Sequence, residues 1–129
     1  MGILSGPMGM CPSYDISFMR PCWMESWLEV VFGASSIASS QADHPDITIT
    51  RTGAGVYNLT YPPTLNAKIV VDEIFSAVRT VSGVIVTAKS ATAGTATITV
   101  TNNAGAATDP ATNDTMLLSI FMKTEATGT

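Results

Sequence analysis

The sequence predicts an all-β protein: an antiparallel β-sandwich or jelly-roll-like barrel of about seven strands, preceded by an extended N-terminal arm. Three observations lead there. Apolar and polar residues alternate with a period of two over short runs, as strands with one buried face require. Clusters of Gly, Pro, Asn, Asp and Ser separate those runs at intervals of roughly ten residues. No apolar repeat of helical period is sustained over the length of a helix. At 129 residues the chain suits one domain with one core, which buries roughly two thirds of the unfolded surface. Residues 1–22 are read as the arm and 23–129 as the β-sandwich domain.

The arm, MGILSGPMGMCPSYDISFMRPC, mixes three prolines and three glycines with four methionines and shows no periodicity. It is too apolar to stay comfortably solvated, so it either packs on its own domain or reaches a neighbouring subunit. The first strand is expected at Trp23–Phe32, with Met24, Leu28, Val30 and Phe32 on one face and Trp23, Glu25, Trp27 and Glu29 on the other. Residues 33–46, small and polar, read as a loop. ITITR (47–51) and VYNLTY (56–61) then form a hairpin about a glycine-containing turn, with Tyr57, Leu59 and Tyr61 facing one way. Pro62-Pro63 ends it, because proline cannot donate to a ladder. IVVDEIFSAV (69–78) fits a strand or a short helix, and VIVTAKS (84–90) is rich in β-branched residues. TATITVTNN (95–103) alternates most clearly, with Thr97, Thr99 and Thr101 opposite Ala96, Ile98 and Val100. Residues 104–114 read as a loop. The last strand, TMLLSIFMK (115–123), sets Met116, Leu118, Ile120 and Met122 on one face but also Leu117 and Phe121 on the other. A strand apolar on both sides is covered on both sides, and in so small a domain the second cover is expected to be another subunit.

Composition narrows the function. Only 12% of residues are charged while 46% are hydrophobic, a balance that keeps a free monomer poorly dispersed and suits a surface covered by partners. The bases Arg20, Arg51, Lys68, Arg79, Lys89 and Lys123 are scattered singly, so no stripe exists to neutralise phosphates and no nucleic-acid partner is expected. No apolar run approaches the length of a membrane span. The opening residues carry neither a basic n-region nor an unbroken apolar h-region. A cytosol-like compartment is therefore expected, which favours free thiols at Cys11 and Cys22 and leaves their pairing as the alternative.

Groups for catalysis are sparse, and no enzyme activity is expected. The one histidine, His44, lies between Asp43 and Asp46 in a turn, where a solvated loop histidine is the simpler reading than a general base. No nucleophile elbow, P-loop or zincin motif occurs. Cys11, Cys22 and His44 lie too far apart in sequence for a compact zinc set, and Asp109–Asp114 has the composition of an Asx-rich turn as much as of a calcium loop. The sequons at Asn58 and Asn113 are read as chance, so no metal and no cofactor is expected. What remains is a surplus of apolar groups with no place in one small core: Trp23, Trp27, Leu117 and Phe121 on strands, and Met8, Met10 and Phe18 in the arm. Aromatic residues and methionine concentrate at interface centres, and these seven are the candidate protein-contact residues.

Two stretches resemble small structural proteins of tailed bacteriophages. One is the hairpin Arg51-Thr52-Gly53-Ala54-Gly55-Val56-Tyr57-Asn58-Leu59-Thr60. The other runs from Asp109-Pro110-Ala111 to Met116-Leu117-Leu118-Ser119-Ile120-Phe121. The likeness spans roughly residues 23–123 and rests on turn and strand motifs. It implies a capsid decoration or cement protein, made in the host cytoplasm and carried on the outer capsid surface of the virion. Such a protein homo-oligomerises, with a trimer as the expected state, and contacts the major capsid protein. A tail-fibre or tail-tip module that binds host glycan is the alternative.

Overall fold

The computed structural model describes residues 23–75 and 83–123; the arm, residues 76–82 and residues 124–129 lie outside the described part. Among the described residues there are eight strands, one more than the sequence suggests: β1 (Trp23–Gly33), β2 (Ser36–Ala42), β3 (Thr48–Gly53), β4 (Val56–Thr60), β5 (Asn66–Phe75), β6 (Gly83–Ser90), β7 (Thr95–Thr101) and β8 (Thr115–Lys123). They form two antiparallel four-stranded sheets, ordered β2-β1-β8-β5 and β3-β4-β7-β6. Each sheet ends in its own two edge strands, so the fold is a sandwich and not a closed barrel.

The extra strand corrects the reading of residues 33–46 as a loop. β2 pairs with β1 from Leu28↔Ala42 to Gly33↔Ser36 around a tight turn in which Ser35 takes a positive φ of 53°. Only Ile37 and Ala42 of β2 pack against the core. A strand that spends its remaining side chains on solvent has no need of apolar alternation, and it is held by its ladder to β1. The described part of the ambiguous 69–78 run is a strand that begins three residues earlier, β5 at Asn66–Phe75, and residues 76–78 lie outside the described part. The remaining elements fall where alternation places them.

The core lies between the sheets and is built from the inward rows: Leu28, Val30 and Phe32 of β1, Tyr57 and Leu59 of β4, Ile98 and Val100 of β7, and Met116, Leu118 and Ile120 of β8, all essentially inaccessible to water. Phe32 and Tyr57 meet across the two sheets with ring centroids 5.4 Å apart and a tilt of 59°, within the range favoured for aromatic pairs. First and last strands lie side by side, because β8 runs between β1 and β5. Burying both central strands of this sheet on one face leaves their opposite face to be accounted for.

One turn fixes the far end of the sandwich. Gly55 has φ +70°, and a Cβ there would lie 2.4 Å from the Thr108 nitrogen and 2.8 Å from the Val100 oxygen, both backbone atoms that cannot swing away. Its own carbonyl accepts from Val100 N at 2.8 Å. Gly55→Ala is expected to cost at least about 2 kcal/mol through combined backbone strain and clash. Gly105→Ala, at φ +83° but with open space around it, should cost about 1 kcal/mol. Urea midpoints of the two variants at unchanged m-value measure both.

Candidate functional site

Alternation along β1, β8 and β5 puts a second set of side chains on the side of their sheet away from the core. The register stacks them in rows across the three strands: Trp23, Lys123 and Asn66; Glu25, Phe121 and Lys68; Trp27, Ser119 and Val70; Glu29, Leu117 and Glu73; Val31, Thr115 and Phe75. Rows are about 7 Å apart along the strands and neighbouring strands about 4.8 Å apart. These side chains therefore form one contiguous surface. Trp27 (40% exposed), Leu117 (38%), Val70 (44%) and Phe75 (65%) stand open on it, and Trp23, Val31 and Phe121 are half-buried in it.

The sequence-named strand residues Trp23, Trp27, Leu117 and Phe121 all belong to this single face. Met8, Met10 and Phe18 lie outside the described residues. Val70 and Phe75 were not anticipated. A bulge at Val71/Glu73 lets Val71 and Ile74 both face inward, which resets the alternation and turns Phe75 outward. An irregular run of this kind has no legible face until its partner strand is known. Within the described residues the expected second cover of β8 is not supplied by the chain itself, since Leu117 remains open.

On this face charged residues alternate with the apolar ones along the flanking strands. Glu25 and Glu29 project from β1, and Asp72 and Glu73 from β5, with Lys68 and Lys123 as the basic members. At the centre Ser119, only 7% exposed, donates a hydrogen bond from its hydroxyl to Asp72. That bond satisfies the one polar group enclosed among Trp27, Val70, Leu117 and Phe121 and anchors the bulge beneath them.

Polar chemistry is concentrated at a different place, at the end of the sandwich where residues 51–60 and 109–121 meet. Arg51 donates to Asp109 through Nε (3.0 Å to Oδ1) and Nη2 (2.8 Å to Oδ2), a forked pairing. Gly55 N and the Tyr57 hydroxyl donate to the same Oδ1 at 2.9 and 3.0 Å. The Arg51 guanidinium, aided by the Gly55 and Tyr57 donors, holds the Asp109 carboxyl at about 2, although partial burial opposes this. Burial, together with the bond to Asp109, pushes the Tyr57 phenol up, and the same carboxylate raises Arg51. A carboxylate so fully engaged by its own chain is a clasp between the β3–β4 hairpin and the loop before β8, and it has little capacity left to move a proton.

The loop 109–114 is equally self-contained at its other end. Asp114, buried, accepts from Ala111 N at 2.9 Å, and its carbonyl accepts from Phe32 N at 2.9 Å. Its two carboxylates thus serve separate protein donors rather than converging. His44 accepts from Asp46 N on Nδ1 at 3.1 Å, while Asp43 accepts from Trp27 N at 3.1 Å beyond the end of β2. Among the described residues no three of His, Cys, Asp and Glu gather as a metal ion would require.

Comparison of the chain with protein-family models, with curated proteins and with solved structures finds no match.

Proposed function

We propose that this protein is a non-enzymatic structural module that docks on other protein subunits through the outer face of β1, β8 and β5. The observation that carries the reading is the contiguous exposure of Trp27, Leu117, Val70 and Phe75 around a satisfied Ser119–Asp72 pair. Large apolar groups gathered on one sheet face, with charges interleaved among them, are more than scattered single exposed residues and suit a protein-contact surface. The setting we propose is the outer shell of a tailed-bacteriophage capsid, where the chain acts as a decoration or cement protein against the major capsid protein and further copies of itself. Support for that setting is the resemblance of residues 51–60 and 109–121 to small structural proteins of tailed bacteriophages.

The mechanism is one of linkage. A module that binds the assembled shell and not its separated subunits stabilises the shell by mass action, with no bond made or broken. Particles stripped of the protein are expected to lose resistance to heat and to internal genome pressure, and to regain it when the protein is added back. Equal heat resistance with and without the protein would contradict the reading. An exposed indole at Trp27 bordered by Glu25 and Glu29 favours the glycan-binding tail module as second reading. Copies per particle separate the two: hundreds for a shell protein, a few dozen at most for the tail.

A further inference from the structure

The charges on the outer face of β1, β8 and β5 restrict which partner fits it. In two of its rows a large apolar residue of β8 has a charged residue directly opposite on each side: Glu25, Phe121 and Lys68 in one, Glu29, Leu117 and Glu73 in the other. The four charged side chains are exposed and mark the corners of a patch whose middle row is Trp27, Ser119 and Val70. Three corners are carboxylates and one is an ammonium. Among the described residues none of the four forms an ion pair, so their charges are open to a partner. Asp72, which accepts from Ser119 beside Glu73, adds to the negative side. Lys123 lies one row beyond Phe121, between Trp23 and Asn66.

Such a face is not complementary to itself. When two copies are stacked face to face, each corner of one meets a corner of the other, and the single ammonium of each opposes only one carboxylate. At least two of the four corner contacts are then carboxylate against carboxylate, however the copies are turned. With the two-fold axis along the strands, Glu25 of each copy meets Lys68 of the other, but Glu29 of each meets Glu73 of the other. Like charges brought together where water is excluded are strongly disfavoured. A symmetric pair of copies, the commonest closed assembly, is therefore a poor occupant. The row that defeats self-stacking also describes a better one. Glu29 and Glu73 straddle Leu117 about 10 Å apart, two strand spacings, which sets places for two cations on either side of an apolar contact. Arginine suits those places best, because its planar fork matches a carboxylate and it gives up water more readily than lysine.

Building on the docking role proposed above for this face, we propose that its occupant is a different protein chain. The surface of that chain sets an apolar group against Trp27 and Leu117 and a basic residue, arginine by preference, against each of Glu29 and Glu73. Contacts between copies of this protein are left to other surfaces. The probes are particles stripped of the protein and the isolated full-length chain. Glu29→Lys with Glu73→Lys, at two exposed sites, is expected to bind stripped particles at least about tenfold more weakly at low salt, with the loss shrinking as salt is raised. Glu29→Gln with Glu73→Gln should lose less and show a flatter salt dependence than wild type. In sedimentation of the isolated protein, Trp27→Ala with Leu117→Ser should leave the association state of the wild type unchanged. If the Lys variant binds as wild type while Trp27→Ala with Leu117→Ser does not, the basic partner is overturned and the docking face stands. Dissociation of a wild-type oligomer by Trp27→Ala with Leu117→Ser would put a second copy on the face and overturn the proposal too. Binding unaltered by any of these variants would remove the docking reading itself, and this inference with it.

Discussion

Replacing Trp27 and Leu117 together, as Trp27→Ala with Leu117→Ser, is expected to weaken rebinding to stripped particles by at least about 100-fold, close to 3 kcal/mol. Both side chains stand on the face away from the core but are only 40% and 38% exposed, so unfolding free energy should fall too, by about 1 to 3 kcal/mol through lost cross-strand packing, in a chain that still folds. The separation of the two effects is the point of the experiment. A tryptophan at the centre of a desolvated contact has large area and little entropy to lose, and its truncation leaves a hole that water cannot fill well. Saturation binding to stripped particles gives the first quantity and urea unfolding the second. Affinity retained within a few-fold would show that this face is not the docking surface. Glu25 and Glu29 at the side of the same face should matter less to affinity and more to its salt dependence, as rim charges do.

Asp109→Ala is expected to be the most destabilising substitution outside the core, costing about 2 to 4 kcal/mol. It strands the Tyr57 hydroxyl, the Gly55 amide and the Arg51 fork at one stroke, and unmade hydrogen bonds of partly enclosed groups are costly. The clasp also has a pH signature whose sign follows from the carboxyl's position. Its folded value of about 2 lies below the roughly 3.9 of an unfolded aspartate. The contribution is therefore fully present above about pH 4 and is lost as pH falls toward 2. Its size is moderated by solvent, because the Arg51 side is open to water. Wild type should lose stability over that window more steeply than Asp109→Ala, in which this part of the acid limb is absent. Parallel acid limbs in the two proteins would count against the clasp.

Alternation made most of this architecture legible. β1, β4, β7 and β8 have inward rows of Leu, Ile, Val, Met and Tyr interrupted by little else, and their faces were readable residue by residue. β2 was not, because Ser36–Ala42 is ordered by its ladder to β1 and offers the core only Ile37 and Ala42. β5 was half legible: its β-branched run signals a strand, but the bulge near Asp72 hides which residues face out. That is why Trp23, Trp27, Leu117 and Phe121 could be chosen from sequence, whereas Val70 and Phe75 could not. The Asp109 clasp was illegible for another reason. Its partners lie 52 to 58 residues away, and a single carboxylate in a turn-rich loop gives no hint of which distant hairpin it meets.

The central claim is that the outer face of β1, β8 and β5 is a docking surface on a virion shell, and electron cryomicroscopy of the intact particle tests it most directly. The account predicts hundreds of copies on the outer capsid with Trp27, Leu117, Val70 and Phe75 turned against a neighbouring subunit. Copies confined to the tail, or shell-bound copies with that face turned to solvent, would contradict it.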